Sequence, residues 1–392
     1  VPVPGTTGSA QPGAATPAAT PAARSRTESP GKTPPRSGPF FDIEMLPAAH
    51  GDALWIEYGD GGTTHRWLVD CGTQPTAKHL LQRIEAVPAA ERMLELFVMT
   101  HIDADHIGGA LPFFKALKRG LGFGDVWFNG WRHLSGQLGA RQGEMFSSAI
   151  EELELPWNAW RDGGTIVVVG ELPTTTLPGG MKLTLLSPTP AQLSKLAPVW
   201  TRELKRYGLE PGGHMDYSRF LRGTPSTSTD VEALADEPFS EDAGAPNGSS
   251  IALLAEYGGA AAILGADAYA SVLAASIRRL LQQRGIDRLK LDAFKLPHHG
   301  SKNNLSGDLL QLLDCRRYLL SSNGEYFQHP DRQAVARVIK YGGARPELHF
   351  NYRSEFNRVW EGADLQQKYG YSARYPAPEA AGLRVALLGG AA

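Results

Sequence analysis

Two cysteines, Cys71 and Cys315, are all that this 392-residue chain contains. That is too few for a disulfide framework and fits a reducing compartment. No run of 18 or more consecutive apolar residues occurs, so no segment reads as a membrane-spanning helix. The N-terminal stretch also lacks the basic-then-apolar form of a secretory leader. Charge of one sign is equally missing: 39 basic residues face 41 acidic ones, a formal net charge of −2. This gives no overall electrostatic signature of a nucleic-acid binder or of a basic membrane anchor, and leaves room for local patches. These absences predict a soluble, cytoplasmic protein. With 42% hydrophobic and 20% charged residues, the composition is globular, and the length suits one large α/β domain or two smaller ones.

Large apolar residues are scarce at the start of the chain. Residues 1–38 are dominated by Pro, Ala, Gly, Ser and Thr, too little to offset ordering entropy, and are read as a disordered tail. A folded domain is expected over 39–392. Strands are expected at Phe41–Leu46, Ala53–Tyr58 and Arg66–Val69, then a helix at Ala77–Glu85 and a strand at Leu94–Met99. Helices at 107–118 and 140–154 flank a strand at Asp125–Phe128, and Thr165–Val169 and Met181–Leu186 read as further strands. Periodicity fails between Leu196 and Asn247, where a basic front half gives way to an acidic back half; 197–247 is read as a mobile insertion or lid, the solvated reading being favoured. Beyond it, Ile251–Tyr257 and Ala260–Leu264 flank Gly258-Gly259, a hairpin signal. Helices and strands then alternate: Ser271–Gln283, Leu289–Leu296, Gly307–Leu313 and Arg317–Ser321, with strands at Glu347–Phe350 and Leu383–Leu388.

The densest chemistry lies in Thr100–Gly109, THIDADHIGG, where His101, Asp103, Asp105 and His106 fall within six residues between a strand and a helix start. Two imidazoles and two carboxylates this close are costly to desolvate without a cation. The plainer reading is a solvated loop capping the helix, with Asp105 as N-cap. Ligand-type residues recur at other strand ends: Asp52, Asp70, His133 after NGWRHL begins, Asp267, the adjacent His298 and His299 of PHHGSKNN, and His329 before Pro330. Functional groups in layered α/β proteins gather at strand ends along one edge. Asp70 also reads as a turn-forming Asp bonded to nearby amides, supporting the site without touching a metal.

The combination of WLVDCG, THIDADHIGG, the strand ending at Asp267 and PHHGS resembles the metallo-β-lactamase superfamily, in particular the branch similar to the soluble hydrolase domain of the ComEC/Rec2 competence proteins. The resemblance spans Phe40 to Ile339 and leaves out the tail and the insertion. It implies an α/β fold, a four-layer αββα sandwich, with two divalent metal ions, Zn2+ or Mn2+, along one edge. It implies that His101 and Asp103 bind the first metal, that Asp105 and His106 bind the second, that Asp267 bridges, and that His299 completes the second site. His298 then serves as a phosphate or proton contact. Adjacent residues on an extended segment point to opposite sides, so one of the two histidines is expected to face away from a given metal. Two departures stand out. Asp103 occupies a position where most relatives have a second His, a harder ligand that favours manganese over zinc. The usual isolated His of the third motif has no counterpart near SPTP, and His133 is taken as its substitute.

Two cations sharing a water lower its pKa toward neutrality and hold the hydroxide for attack. This predicts a dinuclear metal-dependent hydrolase acting on a phosphodiester substrate, either DNA or RNA as a nuclease or a small phosphodiester. Asp105, His298, His329 and Lys302 are the candidate catalytic groups; for Lys302 and His329 a surface charge and a helix-start histidine are the plain alternatives. Hydrolysis of a lactone, thioester or β-lactam, and a non-catalytic metal-binding interaction module, are the competing readings.

Overall fold

The computed structural model describes residues 38–115, 120–134, 141–206, 228–378 and 380–389. The expected disordered tail, apart from Gly38, lies outside the described residues. In the first half, strands β1 (Phe40–Met45), β2 (Leu54–Gly59), β3 (Thr64–Val69), β4 (Met93–Leu94), β5 (Leu96–Val98), β6 (Gly122–Phe123) and β7 (Val126–Trp127) follow in order. The second half supplies β8 (Thr174–Thr176), β9 (Lys182–Ser187), β10 (Ala252–Tyr257), β11 (Ala260–Leu264), β12 (Leu289–Lys295), β13 (Leu313–Leu320), β14 (Glu347–Phe350), β15 (Ser372–Arg374) and β16 (Leu383–Leu388). They build a six-stranded sheet, β16-β1-β2-β3-β5-β7, and an eight-stranded sheet, β15-β14-β13-β12-β11-β10-β9-β8, with β4 and β6 as a small separate pair.

Alternation along the strands explains the layering. Leu54, Ile56 and Tyr58 of β2, Trp67 and Val69 of β3, and Leu96 and Val98 of β5 share one core with Leu185, Leu254, Ile263 and Phe294 of the other sheet. Their neighbours Trp55, Leu68 and Phe97 point the other way and pack with Phe113, Phe114 and Phe146 of the flanking helices. Side chains of period two thus bury both faces, one on the opposite sheet and one on helices. The expected metallo-β-lactamase-type α/β fold is the one observed.

Several elements depart from expectation. The helix predicted over 107–118 is broken into Ala104–Ile107 and Ala110–Lys115, with 116–119 outside the described residues. The break is packed, not loose: a Cβ on Gly109 would lie 2.2 Å from the Cys71 carbonyl oxygen. Thr165–Val169 forms no strand, and the edge position goes to β8 instead. The 197–247 reading also changes. A helix runs Pro190–Arg206, straight through the point where periodicity fades, and helices Val231–Asp236 and Ala245–Gly248 follow; 207–227 lie outside the described residues. The acidic back half is engaged by protein groups: Asp236 with Lys340 at 2.6 Å, Glu237 with Gln333 at 2.8 Å, and Glu241 with Ser271. Gly258 and Gly259 have φ of +59° and +89°, both positive as a tight hairpin between β10 and β11 requires.

Candidate metal centre

β3, β5 and β7 run parallel in one sheet, as do β11 to β15 in the other. The loops leaving β3, β5, β11, β12 and β13 bring together Asp70, the 101–106 turn, Asp267, His298 with His299, and Ser321. The two sheets are tied there by the Ile251 amide donating to the Thr100 carbonyl at 3.0 Å.

Three imidazoles are prepared in the same way. His106 Nδ1 donates to Asp70 Oδ2 at 2.8 Å, and His299 Nδ1 donates to the Ser321 carbonyl at 2.9 Å. Thr100 Oγ1 gives its own proton to Asp70 Oδ2 and accepts from His101 Nδ1 at 2.9 Å. With Nδ1 carrying the hydrogen, each Nε2 is left as a lone-pair donor. Those Nε2 atoms of His101, His106 and His299, together with Asp267 Oδ1, are buried and have no hydrogen-bond partner. Buried polar groups rarely stay unpaired, and four converging ones fit a cation.

Spacing agrees. His101 Nε2 is 3.7 Å from both Asp103 Oδ2 and Asp267 Oδ2. His106 Nε2 lies 3.4 Å from Asp267 Oδ2 and 3.9 Å from Asp105 Oδ2. His299 Nε2 lies 3.4 Å from Asp105 Oδ2 and 3.9 Å from Asp267 Oδ1. Ligand atoms about 2.0–2.1 Å from a shared tetrahedral metal stand about 3.3 Å apart, close to these separations. Asp267, whose two oxygens face different partners, is placed between both groups.

The electrostatics are those of a cation trap. Burial alone would raise Asp267, yet His106, His298 and His299 hold it well below the usual carboxylate range. Burial likewise opposes the lowering of Asp105, and His106 and His299 prevail. In return, against the effect of burial, Asp267 and Asp70 raise His106 well above an ordinary imidazole, and Asp267 and Asp242 bring His298 up to about 10.

His298 and His299 do not sit on extended backbone. Their φ values of +47° and +53°, followed by +84° at Gly300, curl the chain so that both rings turn toward Asp267; His298 Nε2 is 3.8 Å from Asp267 Oδ2. The expectation that one ring faces away fails because alternation belongs to extended chains only. His298 Nδ1 donates to Asn304 Oδ1 at 2.9 Å and lies 3.5 Å from Asp242, so the back half of the 197–247 segment reaches the site.

His133 is not brought to this group. Its Nε2 lies 3.2 Å from the Gly163 carbonyl oxygen and 3.3 Å from Asn158 Nδ2, with the ring edge-on to Trp157; burial, then Arg132, brings it down to about 4. Trp131 is buried in the helix-side core and carries the chain away from the strand end. Lys302 is exposed, and its backbone bonds to Asp331 and Arg337. His329 is buried, with its ring 5.3 Å from that of His298. It borders the site behind His298 without meeting the donor group.

Sequence reasoning placed Asp52 at a strand end without giving it a role and left out Lys295, Asp242, Asn304 and His50. Donor atoms of Asp52, His106, Asp267 and His299 all lie within 4.8 Å of one another. Asp52 nevertheless has both oxygens engaged, Oδ2 by Lys295 Nζ at 2.8 Å and Oδ1 by Ser321 Oγ, and is better placed to support His299 than to bind. His50 stacks on Tyr326 at 4.9 Å at the rim. The available signals were a Lys inside the apolar run Ala293–Leu296 and the placement of Asp52 at a strand start.

Residues 47–181 match the model of the metallo-beta-lactamase superfamily. That segment contains Asp70 and the 101–106 turn and ends before Asp267 and the histidine pair. No curated protein matches the chain. Among solved structures, it is similar to a mutant of CmlA beta-hydroxylase (13% identity, 91% of this chain and 54% of that one, TM-score 0.36). It is also similar to the metallo-beta-lactamase fold protein YhfI from Bacillus subtilis (10% identity, 88% and 99%, TM-score 0.38). A third is a diphosphatase from the PhnP family (13% identity, 85% and 83%, TM-score 0.32). The chain spans about half the length of the hydroxylase. Among the described residues, no helix is long and apolar enough to cross a membrane.

Proposed function

We propose that this protein is a dinuclear metal-dependent hydrolase of phosphodiesters. The observation that carries the reading is the convergence of unpartnered buried donors, His101 Nε2, His106 Nε2, His299 Nε2 and Asp267 Oδ1, beside the carboxylates of Asp103 and Asp105. His101 and Asp103 would hold one divalent ion, Asp105, His106 and His299 the other, and Asp267 both. Two such ions supply water activation and positive charge for anionic substrate oxygens. Asp103 biases its side toward hard cations, so manganese is favoured there over zinc.

The rest of the work belongs to this chain. Asp70 and Thr100 keep the imidazoles in one tautomer, and Ser321 does the same for His299. His298, oriented by Asn304 and Asp242, faces Asp267 and is positioned to contact a phosphoryl oxygen or pass a proton to a leaving group. A nuclease of the ComEC/Rec2-like branch and a hydrolase of small phosphodiesters share this machinery. The near-neutral charge of −2 favours a short or small substrate over a long nucleic acid held along a basic face.

The deciding experiment measures bound metal, then turnover of bis(p-nitrophenyl) phosphate, a lactone and single-stranded DNA with manganese or zinc. Two ions per chain and phosphodiester turnover that disappears in Asp105→Ala are expected. Activity unchanged by Asp105→Ala refutes the dinuclear reading, and turnover of the lactone alone replaces the substrate class.

A further inference from the structure

Lys295 and Asp52 form a buried ion pair 243 residues apart in sequence. Lys295 ends β12 with its side chain fully buried, and Asp52, 1% exposed, precedes β2 of the opposite sheet. The ammonium donates to Asp52 Oδ2 at 2.8 Å and to the Leu296 carbonyl at 3.1 Å. Ser321 Oγ covers Asp52 Oδ1, which lies 3.6 Å from His299 Nδ1.

We infer that Lys295 is a built-in cation that keeps Asp52 from becoming a ligand of the second metal, confining it to orienting His299. The inference rests on the dinuclear reading above. By geometry alone Asp52 belongs with the ligands, since its donor atom stands within 4.8 Å of those from His106, Asp267 and His299. Its partners decide otherwise: a carboxylate neutralised by an adjacent ammonium and saturated by a hydroxyl is a poor metal ligand. The arithmetic of charge shows what this achieves. Asp103, Asp105 and Asp267 already set three negative charges against four from two divalent ions, and a fourth coordinating carboxylate would weaken the attraction left for an anionic substrate. It would also crowd a site that already has Asp105, His106, His299 and the bridge, and closed coordination belongs to structural rather than catalytic metals.

Lys295→Met removes the cation and frees Asp52. Metal-free Lys295→Met, Lys295→Met/Asp52→Asn and the natural chain are loaded with Co2+, and absorption spectra and affinities by chelator competition are recorded. The wild-type chain is read first: failure to take up two Co2+ refutes the dinuclear reading itself, before any variant is considered. Given two, Lys295→Met is expected to show an altered visible spectrum at the second site and binding about tenfold or more tighter, the scale on which neighbouring groups tune metal sites. The double variant, which has no carboxylate to recruit, should return to the wild-type spectrum. Wild-type spectrum and affinity in Lys295→Met overturn the inference. If Lys295→Met is unfolded without metal, Co2+ must refold it by taking over the ammonium's role. A single variant that stays unfolded with Co2+ while the double variant folds also overturns it.

Discussion

Asp70 touches no proposed substrate position, yet its replacement by Asn should disable both metal sites. The carboxylate is fully buried and accepts three hydrogen bonds: from the Thr100 amide and from Thr100 Oγ1, each at 2.8 Å, and from His106 Nδ1 at 2.8 Å. Asn keeps one acceptor, which suits the Thr100 amide, and sets an NH2 against the two donors now bound by Oδ2. Hydrogen bonds to a charged group contribute about 1.5–3 kcal/mol each, so losing two costs about 3 kcal/mol or more of folding stability. The larger effect is on chemistry. Facing a donor, His106 is driven to carry its hydrogen on Nε2, and Thr100 no longer fixes His101, so both imidazoles lose their metal-ready lone pair. Supporting groups of this kind are worth about 10–100-fold in metal affinity. Urea denaturation of the metal-free chain gives the first number and chelator competition with Mn2+ or Zn2+ gives the second. Thr100→Val is the companion variant, expected to weaken the His101 site while sparing His106. Asp70→Asn that loses stability but binds both metals with wild-type affinity would show that the carboxylate is structural only, and the tautomer argument would fail.

Three further outcomes follow from the geometry. His133→Ala should leave metal content at the wild-type level, because the ring packs on Trp157 and Asn158; loss of one ion per chain by elemental analysis would return His133 to the site. Gly51→Ala should lower metal affinity and cost about 1–3 kcal/mol or more, since the added Cβ would sit 1.7 Å from the Asp105 carbonyl oxygen and push the ligand turn; wild-type affinity in this variant contradicts the packing. Glu57 is buried among Arg83, Arg384 and Arg66, which overcome the upward push of burial and pull it down to about 2. A depressed carboxylate stabilises fully above its unfolded value near 4.5 and loses that contribution as pH falls toward 2, here about 3 kcal/mol. Glu57→Gln should flatten the acid limb of the stability profile between those values, and an unchanged limb refutes the assignment.

Much of this was legible in the chain. The apolar runs at Leu54–Tyr58 and Arg66–Val69 announced strands, the two glycines after Tyr257 announced the hairpin, and the clustering in THIDADHIGG announced a polar turn at a strand end. Direction was not legible. His133 stands beyond a strand end, as expected, but Trp131 anchors the chain in the helix-side core and swings the imidazole away. His298 and His299 read as a pair facing opposite sides, because nothing in PHHGS reveals two consecutive left-handed residues; the contacts around Ala266 and Asn304 select that conformation. Lys295 and Asp52 were invisible as partners because their meeting depends on how two sheets face each other. Such long-range pairings leave no periodic trace.

That dependence links metal to fold. The candidate ligands come from both sheets: His101, Asp103, Asp105 and His106 follow β5, while Asp267, His298 and His299 follow β11 and β12. Among the described residues the sheets are also joined at this edge by polar ties from Ile251 to Thr100, Asn323 and Tyr352 to Ala49, Asn351 to Leu46, and Lys295 and Ser321 to Asp52. Ions spanning His106, Asp105 and His299 would therefore clamp one sheet to the other. Binding only to the folded chain stabilises it by about 2.7 kcal/mol per site at a free metal concentration a hundred times the dissociation constant. Removing metal with a chelator should thus lower the unfolding midpoint of the whole sandwich in a single cooperative step, with hydrogen exchange rising in β12 as well as near His101. A site confined to one sheet predicts the same shift of midpoint by linkage but faster exchange near His101 alone, and unchanged exchange in β12 would refute the clamp.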